Sequence, residues 1–273
     1  MSASTTSLPQ SRVRDQRPKH QPGRHEETEK HRAQESMLPL ASGFTCDAPQ
    51  QRRDVDLLSA SEDIKQEIVP AGNRSISYQV AKRVIDIIGA AAILLCLAPA
   101  MVVTWVVLVW TTRGRPIFVQ QRVGYLGKTF SMYKFRTMVL GAAARQRSVA
   151  NHREGPIFKN FNDPRVTRIG RVLRSLSIDE TPQLFNVLRG QMSLVGPRPA
   201  LAHEVRQYKA WQRKRLAVKP GLTCLWQVSG RSEIGFDDWM RMDAWYLRHQ
   251  SLWTDLKLLA CTPWCVLSRR GAY

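Results

Sequence analysis

Two adjacent carboxylates, Asp179 and Glu180, open a short apolar segment that leads into an arginine held between prolines, Pro197-Arg198-Pro199. Acid chemistry and an anion clamp therefore share one stretch, Ser177 to Pro199. A carboxylate in the first turn of a helix faces the positive end of the macrodipole and unsatisfied N–H groups, so it stays ionised and aimed outward. Such an acid serves as a nucleophile or a metal ligand. The same residues also admit a structural role. Ser177-x-x-Glu180 fits a capping box, in which Glu180 bonds back to the backbone. Pro182 would then fall at the fifth helical position and lose a hydrogen bond. With Asp179 as N-cap, Pro182 falls at the third, where its missing N–H costs nothing. Sequence alone leaves capping and catalysis open.

Other segments must position this pair. Pro116 to Met138 reads as two short strands around a turn carrying Gly124 and Gly127. Lys134 and Arg136, two apart in the second strand, share a face and could grip a diphosphate, or form a solvated face. From Asp163 to Arg174, Arg165, Arg168, Arg171 and Arg174 recur every third residue beside Val166, Ile169, Val172, Leu173 and Leu176. This pattern predicts an amphipathic helix whose cationic face meets anionic lipid heads. Asp237 to Tyr246 reads as a helix. Leu252 to Leu267 reads as an interfacial element, its apolar run shortened by Asp255 and Lys257 and broken by Pro263. Cys261 and Cys265, four apart, are expected to pack, since two thiols lack the further ligands of a closed metal site.

The apolar run from Val84 to Thr112 contains one charge, Asp86, and as a straight helix would reach roughly 43 Å, enough to cross a bilayer. Lys82 and Arg83 before it and Arg113 and Arg115 after it draw both ends to the cytoplasmic side. Pro99 near the middle removes a backbone bond and kinks the helix. A re-entrant hairpin satisfies both features.

Composition bounds the partners. A net charge of +19 and a pI near 10.4 call for anions: nucleic acid, phosphorylated substrates or an anionic membrane face. No helix-turn-helix, RNA-recognition or zinc-finger pattern supports nucleic acid. The five cysteines lack C-x-x-C pairs, which indicates a reducing compartment. Residues 1–75, rich in Gln, Arg, Ser, His, Glu and Pro, are expected to form a disordered cytoplasmic arm, followed by a membrane helix at 76–115 and a further domain at 116–273.

The stretch Ser177 to Pro199 resembles the bacterial sugar transferase family, the monotopic phosphoglycosyl transferases, whose pattern reads roughly S-L-D-E-L-P-Q-L-x-N-V-L-x-G-x-M-S-x-V-G-P-R-P. Asp179, Glu180, Pro182, Gln183, Asn186, Gly190, Met192, Ser193, Gly196, Pro197, Arg198 and Pro199 fall on it. The family's F-x-Q-x-R-V-G-x-x-G-K-x-F and Y-K-F-R-T-M signatures match the hairpin. Lys219 to Arg231 resembles its K-P-G-x-T-G-x-W-Q-V-x-G-R loop, with Cys224 in place of a glycine, so that either the backbone there has negative φ or the loop is rearranged. Ala98-Pro99 stands where the family usually has Ser-Pro, and the resemblance runs from about Tyr78 to the C-terminus.

The resemblance implies an α+β fold: a membrane re-entrant helix plus a mostly helical cytoplasmic catalytic domain with a small β-hairpin and interfacial amphipathic helices. It implies transfer of a sugar 1-phosphate from a UDP-sugar to undecaprenyl phosphate at the cytoplasmic face of the bacterial inner membrane, releasing UMP. It makes Asp179 the nucleophile, with Glu180 beside it and Mg²⁺ at both carboxylates. Lys134, Arg136, Gln183, Asn186, Arg198 and Arg231 become substrate-binding residues. Anionic lipids are expected partners, a homo-oligomer stays open, and galactose or glucose is the expected sugar. A non-catalytic membrane adaptor is the competing reading.

Overall fold

Ser75 starts the first described element by accepting a hydrogen bond from the Tyr78 N–H at 3.2 Å. In this computed structural model, residues 75–268 are described except 114, 153, 154, 159, 161 and 231–233. The expected arm at 1–75 lies, but for its last residue, outside the described residues. Helix α1 (Ile76–Thr111) runs through Pro99 as one element. It is long and apolar enough to cross a membrane, and only 11% of its most apolar 18-residue window is buried, which a soluble core helix would not tolerate. Residues near both ends, Asp86 and Ala90 on one side and Thr104 and Leu108 on the other, are buried, whereas 95–100 are exposed.

The expected hairpin is present. Strands β1 (Ile117–Val123) and β2 (Thr129–Phe135) pair antiparallel, with Ile117 opposite Phe135 and Val123 opposite Thr129. Leu126 (φ 52°) and Gly127 (φ 77°) turn the chain between them. Helices α2 (Arg168–Ser175) and α3 (Gln183–Leu188) follow, then β3 (Ser193–Val195). After the short α4 (Ala202–Gln207) and α5 (Ala210–Arg213) comes β4 (Gly221–Thr223), which pairs parallel to β3. Helices α6 (Leu225–Ser229), α7 (Phe236–His249) and α8 (Leu252–Leu267) close the body. Its main core gathers Met132 of β2, Leu184 and Val187 of α3, Leu194 of β3, and Trp226, Trp239 and Tyr246 of the last helices. The architecture is a mostly helical α+β fold with two small sheets and one long apolar helix.

Two expectations need correction. The four arginines do not make one cationic stripe: Arg168 and Arg171 are exposed, but Arg165 and Arg174 are buried. Arg165 precedes the helix and grips Asp163 through Nη2 at 2.6 Å and Nε at 2.9 Å. Arg174 donates to Thr137 Oγ1 at 3.0 Å. Steps of three residues fall back by about 60° each on a helix of 3.6 residues per turn, so such a series walks around the helix into the core. Pro263, likewise, does not break its element, because α8 continues through it. Leu258 before it and Cys265 after it are both buried, and this packing outweighs one lost backbone bond. Of the two cysteines expected to pack, Cys265 is buried and Cys261 is exposed.

Candidate active site

Between α2 and α3 the chain restarts at Ser177, which takes a left-handed conformation (φ 55°, ψ 17°) and makes no side-chain capping bond. Ile178–Glu180 form a separate 3₁₀ turn, and α3 begins only at Gln183, directly after Pro182. Neither capping frame holds. Pro182 lacks the N–H that would carry the helix back through the acids, so Asp179 and Glu180 precede α3 and the helix-dipole argument loses its basis.

Lys134 organises the pair instead. It projects from β2 at 1% exposure, with Nζ 2.5 Å from Glu180 Oε1. An ammonium removed from water needs a paired carboxylate, and Glu180 supplies it. Asp179, at 5% exposure, sits one residue away in the same turn. Lys134 is aimed by Asn186, whose Oδ1 accepts from Tyr133 N–H at 3.1 Å. The Asn186 Nδ2 donates to Ser131 O and Gln191 Oε1, each at 2.7 Å. Fully buried and engaged in this way, Asn186 staples α3 to β2 and is a positioning residue where the sequence suggested a substrate contact.

Arg136 also departs from expectation. Its Nε donates to Arg115 O at 2.7 Å and its Nη2 to Ile117 O at 3.1 Å, and it stacks over Phe118. It secures the exit of α1 into β1 and does not join Lys134 in a diphosphate grip, because the chain leaves β2 at Phe135 and strand alternation no longer governs it. Gln183 does fit a ligand contact: it is buried, and its Nε2 has no hydrogen-bond partner among the described residues. Arg231 lies outside the described residues.

The Gly196-Pro-Arg-Pro199 segment is held mainly by its backbone. Arg122 Nη1 donates to Pro199 O at 3.1 Å while its Nε and Nη2 hold Gln120 Oε1. Arg215 Nη2 donates to Arg198 O at 2.9 Å and lies 2.8 Å from Asp243 Oδ2, and Arg215 Nη1 reaches Tyr208 OH at 3.0 Å. The Gly221 N–H donates to Pro197 O at 2.8 Å and the Gly196 N–H to Thr223 O at 3.0 Å. The two glycines touch: a Cβ on Gly221 would lie 2.1 Å from Gly196 N, and one on Gly196 would lie 2.4 Å from Lys219 O. Arg198 itself keeps Nη1 buried with no hydrogen-bond partner among the described residues. Burial pulls its guanidinium below its ordinary pKa, against the pull of Glu204. A cation so desolvated gains from an arriving anion. Cys224 takes φ −142°, so the glycine it replaces is not required, and burial pushes its thiol pKa up.

From α1, Asp86 Oδ1 accepts from Ser193 Oγ at 2.9 Å and from Leu194 N–H at 2.8 Å, fixing β3 ahead of Arg198. Nothing local in the sequence marks Asp86, Arg122 or Arg215 as positioning groups, although Arg122 stands in the F-x-Q-x-R signature.

Among the described residues no group of three or more His, Cys, Asp or Glu is placed to hold a metal. Mg²⁺ is commonly bound by one or two carboxylates with substrate phosphates completing its shell, and the oxygen pair of Asp179 and Glu180 fits that smaller demand.

The profile described as bacterial sugar transferase matches residues 77–269. The chain is 42% identical over 204 residues to the undecaprenyl-phosphate galactose phosphotransferase of Salmonella typhimurium, covering 72% of this chain and 42% of that protein. It is 40% identical over 211 residues to the undecaprenyl-phosphate glucose phosphotransferase of Komagataeibacter xylinus, covering 70% and 37%. It is 37% identical over 200 residues to the exopolysaccharide production protein ExoY of Rhizobium meliloti, covering 71% and 88%. The chain thus spans less than half the length of several curated relatives that it matches.

Proposed function

The chain belongs to the bacterial sugar transferase family, and from that premise we propose that it moves a sugar 1-phosphate from a UDP-sugar to undecaprenyl phosphate, the first step of an exopolysaccharide or related glycan. The observation that carries this reading is the buried acid turn, Asp179 beside the Lys134–Glu180 pair. Asp179 attacks the β-phosphorus of the UDP-sugar. The bond from that phosphorus to the bridging oxygen breaks, UMP leaves with the electron pair, and an aspartyl phosphate bearing the sugar remains. An oxygen of the lipid phosphate then attacks the same phosphorus, the aspartyl bond breaks, and the carboxylate is restored. Two displacements replace one difficult transfer. Lys134 holds Glu180 in place, while Gln183 and Arg198 bring unspent buried donors to the diphosphate. Mg²⁺, when bound at Asp179 and Glu180, would neutralise phosphate charge. The relatives' names divide between galactose and glucose, and we take one of these as the sugar.

The same reading places the chain at the cytoplasmic face of the inner membrane with α1 re-entrant. Burial near both ends of α1, exposure of residues 95–100 and the basic flanks support it. Cysteines introduced before Lys82 and after Arg115 should label only from the cytoplasm; labelling of the C-terminal region from the periplasm would mean a true span.

Asp179→Asn tests the chemistry. As the nucleophile, Asp179 is irreplaceable, so UMP release should fall by several orders of magnitude while folding and membrane binding persist. A UDP-sugar labelled in the β-phosphate should mark the wild-type protein without acceptor and leave the variant unmarked. Full activity in the variant would remove Asp179 from the mechanism.

A further inference from the structure

Two cations meet where the N-terminal part of α1 passes the end of α3, and no step described so far uses them. Arg83 Nη1 donates to Val187 O and its Nη2 to Leu188 O, each at 2.7 Å, which ties the guanidinium to the last carbonyls of α3. Lys219, just ahead of β4, brings its ammonium to the same place. The space between them belongs to Gly190: a Cβ there would lie 3.4 Å from Arg83 Nη2 and 3.7 Å from Lys219 Nζ. Gly190 has φ 76°, which favours glycine, so this space stays open. We propose that Arg83 and Lys219 form a phosphate site and that its occupant is the headgroup of an anionic phospholipid.

The charge at this point is not cancelled by the protein. Lys219 Nζ makes no hydrogen bond or ion pair among the described residues. Partial burial lowers its pKa, and Arg83 and Lys82 add to that effect against the pull of Asp86. The acids close by are spent elsewhere: Asp86 Oδ1 accepts from Ser193 Oγ and Leu194 N–H, and Asp255 holds Lys82 at 2.7 Å. Two carbonyls use two of the five donors of Arg83, so its guanidinium can still hold a phosphate oxygen. Two cations at one point gain from a shared anion. Position then selects a lipid. Arg83 is the last charge before the apolar run begins at Val84, and Ile87, one turn further on the same face of α1, is 41% exposed. A phosphate at Arg83 has apolar helix surface beneath it, which an acyl chain can follow and a free phosphate cannot use. Anionic headgroups of the cytoplasmic leaflet attract basic groups at that level. The acid turn is served from the other end of α3, about 9 Å away along that helix.

The test is a lipid titration of the full chain in detergent micelles, read by native mass spectrometry with dioleoylphosphatidylglycerol and dioleoylphosphatidylcholine. The wild type should bind phosphatidylglycerol more tightly than phosphatidylcholine. Lys219 is exposed, so Lys219→Gln should fold, and it should weaken phosphatidylglycerol binding about fivefold, the order for one basic residue at an anionic surface. Lys219→Arg should restore the preference. Lys214→Gln, which removes another exposed lysine, should leave it unchanged. An equal loss in Lys214→Gln would mean diffuse attraction without a site, and no loss in Lys219→Gln would remove that residue from any headgroup; either result overturns the proposal. Excess inorganic phosphate should not displace the lipid. If it did, the pair would take free phosphate and the lipid assignment would fall. Turnover does not enter this measurement, so its outcome stands apart from the function proposed above.

Discussion

The two halves of α1 hold the same body by different chemistry. The first is bound by charge and direction: Lys82 Nζ reaches Asp255 Oδ2 at 2.7 Å and Val195 O at 3.0 Å. Arg83 donates to the carbonyls of Val187 and Leu188, each at 2.7 Å, and Asp86 holds β3. The second is held by shape. Leu108 packs with Phe135 and Leu173, and Met101 joins the same cluster, while Thr111 and Thr112 return their hydroxyls to carbonyls of their own helix. Hydrogen bonds fix distance and angle; apolar contact is non-directional. The first half is thus a register pin for β3 and the Gly-Pro-Arg-Pro segment, and the second is a wall seated by apolar packing.

Breaking the pin should cost most. Asp86→Ala strands the Ser193 hydroxyl and the Leu194 N–H, both buried, at about 1–3 kcal/mol each. Thermal melting in detergent should show that loss, together with weaker UMP release as Arg198 loses its frame. A melt unchanged within error would mean that Asp86 pins nothing. On the other half, Leu108→Ala should cost about 2 kcal/mol, the low end for a buried leucine, because a wall without directional bonds can close over the void. A larger cost than that of Asp86→Ala would reverse the contrast. Val103→Ala, at a residue 64% exposed on α1, should stay within about 0.5 kcal/mol in detergent melts. A larger effect would show that this face is packed.

The sequence made the hairpin legible because alternation and two glycines are local signals, and it singled out the acid pair because adjacent carboxylates before a proline are uncommon in an apolar setting. Its framing of that pair failed. No periodicity reveals that Ser177 turns left-handed and restarts the chain, or that the ammonium partner of Glu180 comes from a strand far back in sequence. The positioning groups share this difficulty. Asp86 reads as one tolerable charge in an apolar run, and its value depends on Ser193 and Leu194 meeting it after folding. Arg215 and Asp243, each unremarked as a pair, become partners only when the chain after β3 folds under α7. Asn186 looked like a substrate contact because it lies in the most chemical stretch of the chain, yet a side chain at zero exposure serves its neighbours.

The contact between Gly196 and Gly221 carries a consequence for any mutational scan. Neither glycine bears a group that can touch a phosphate, yet a single methyl at either collides with backbone and cannot be absorbed by a rotamer change. Both positions would score as intolerant as Asp179 in an activity screen. A screen for folded protein would part them: Asp179→Asn should pass it, whereas Gly196→Ala and Gly221→Ala should fail, since what they remove is the clearance that lets β3 and β4 lie side by side.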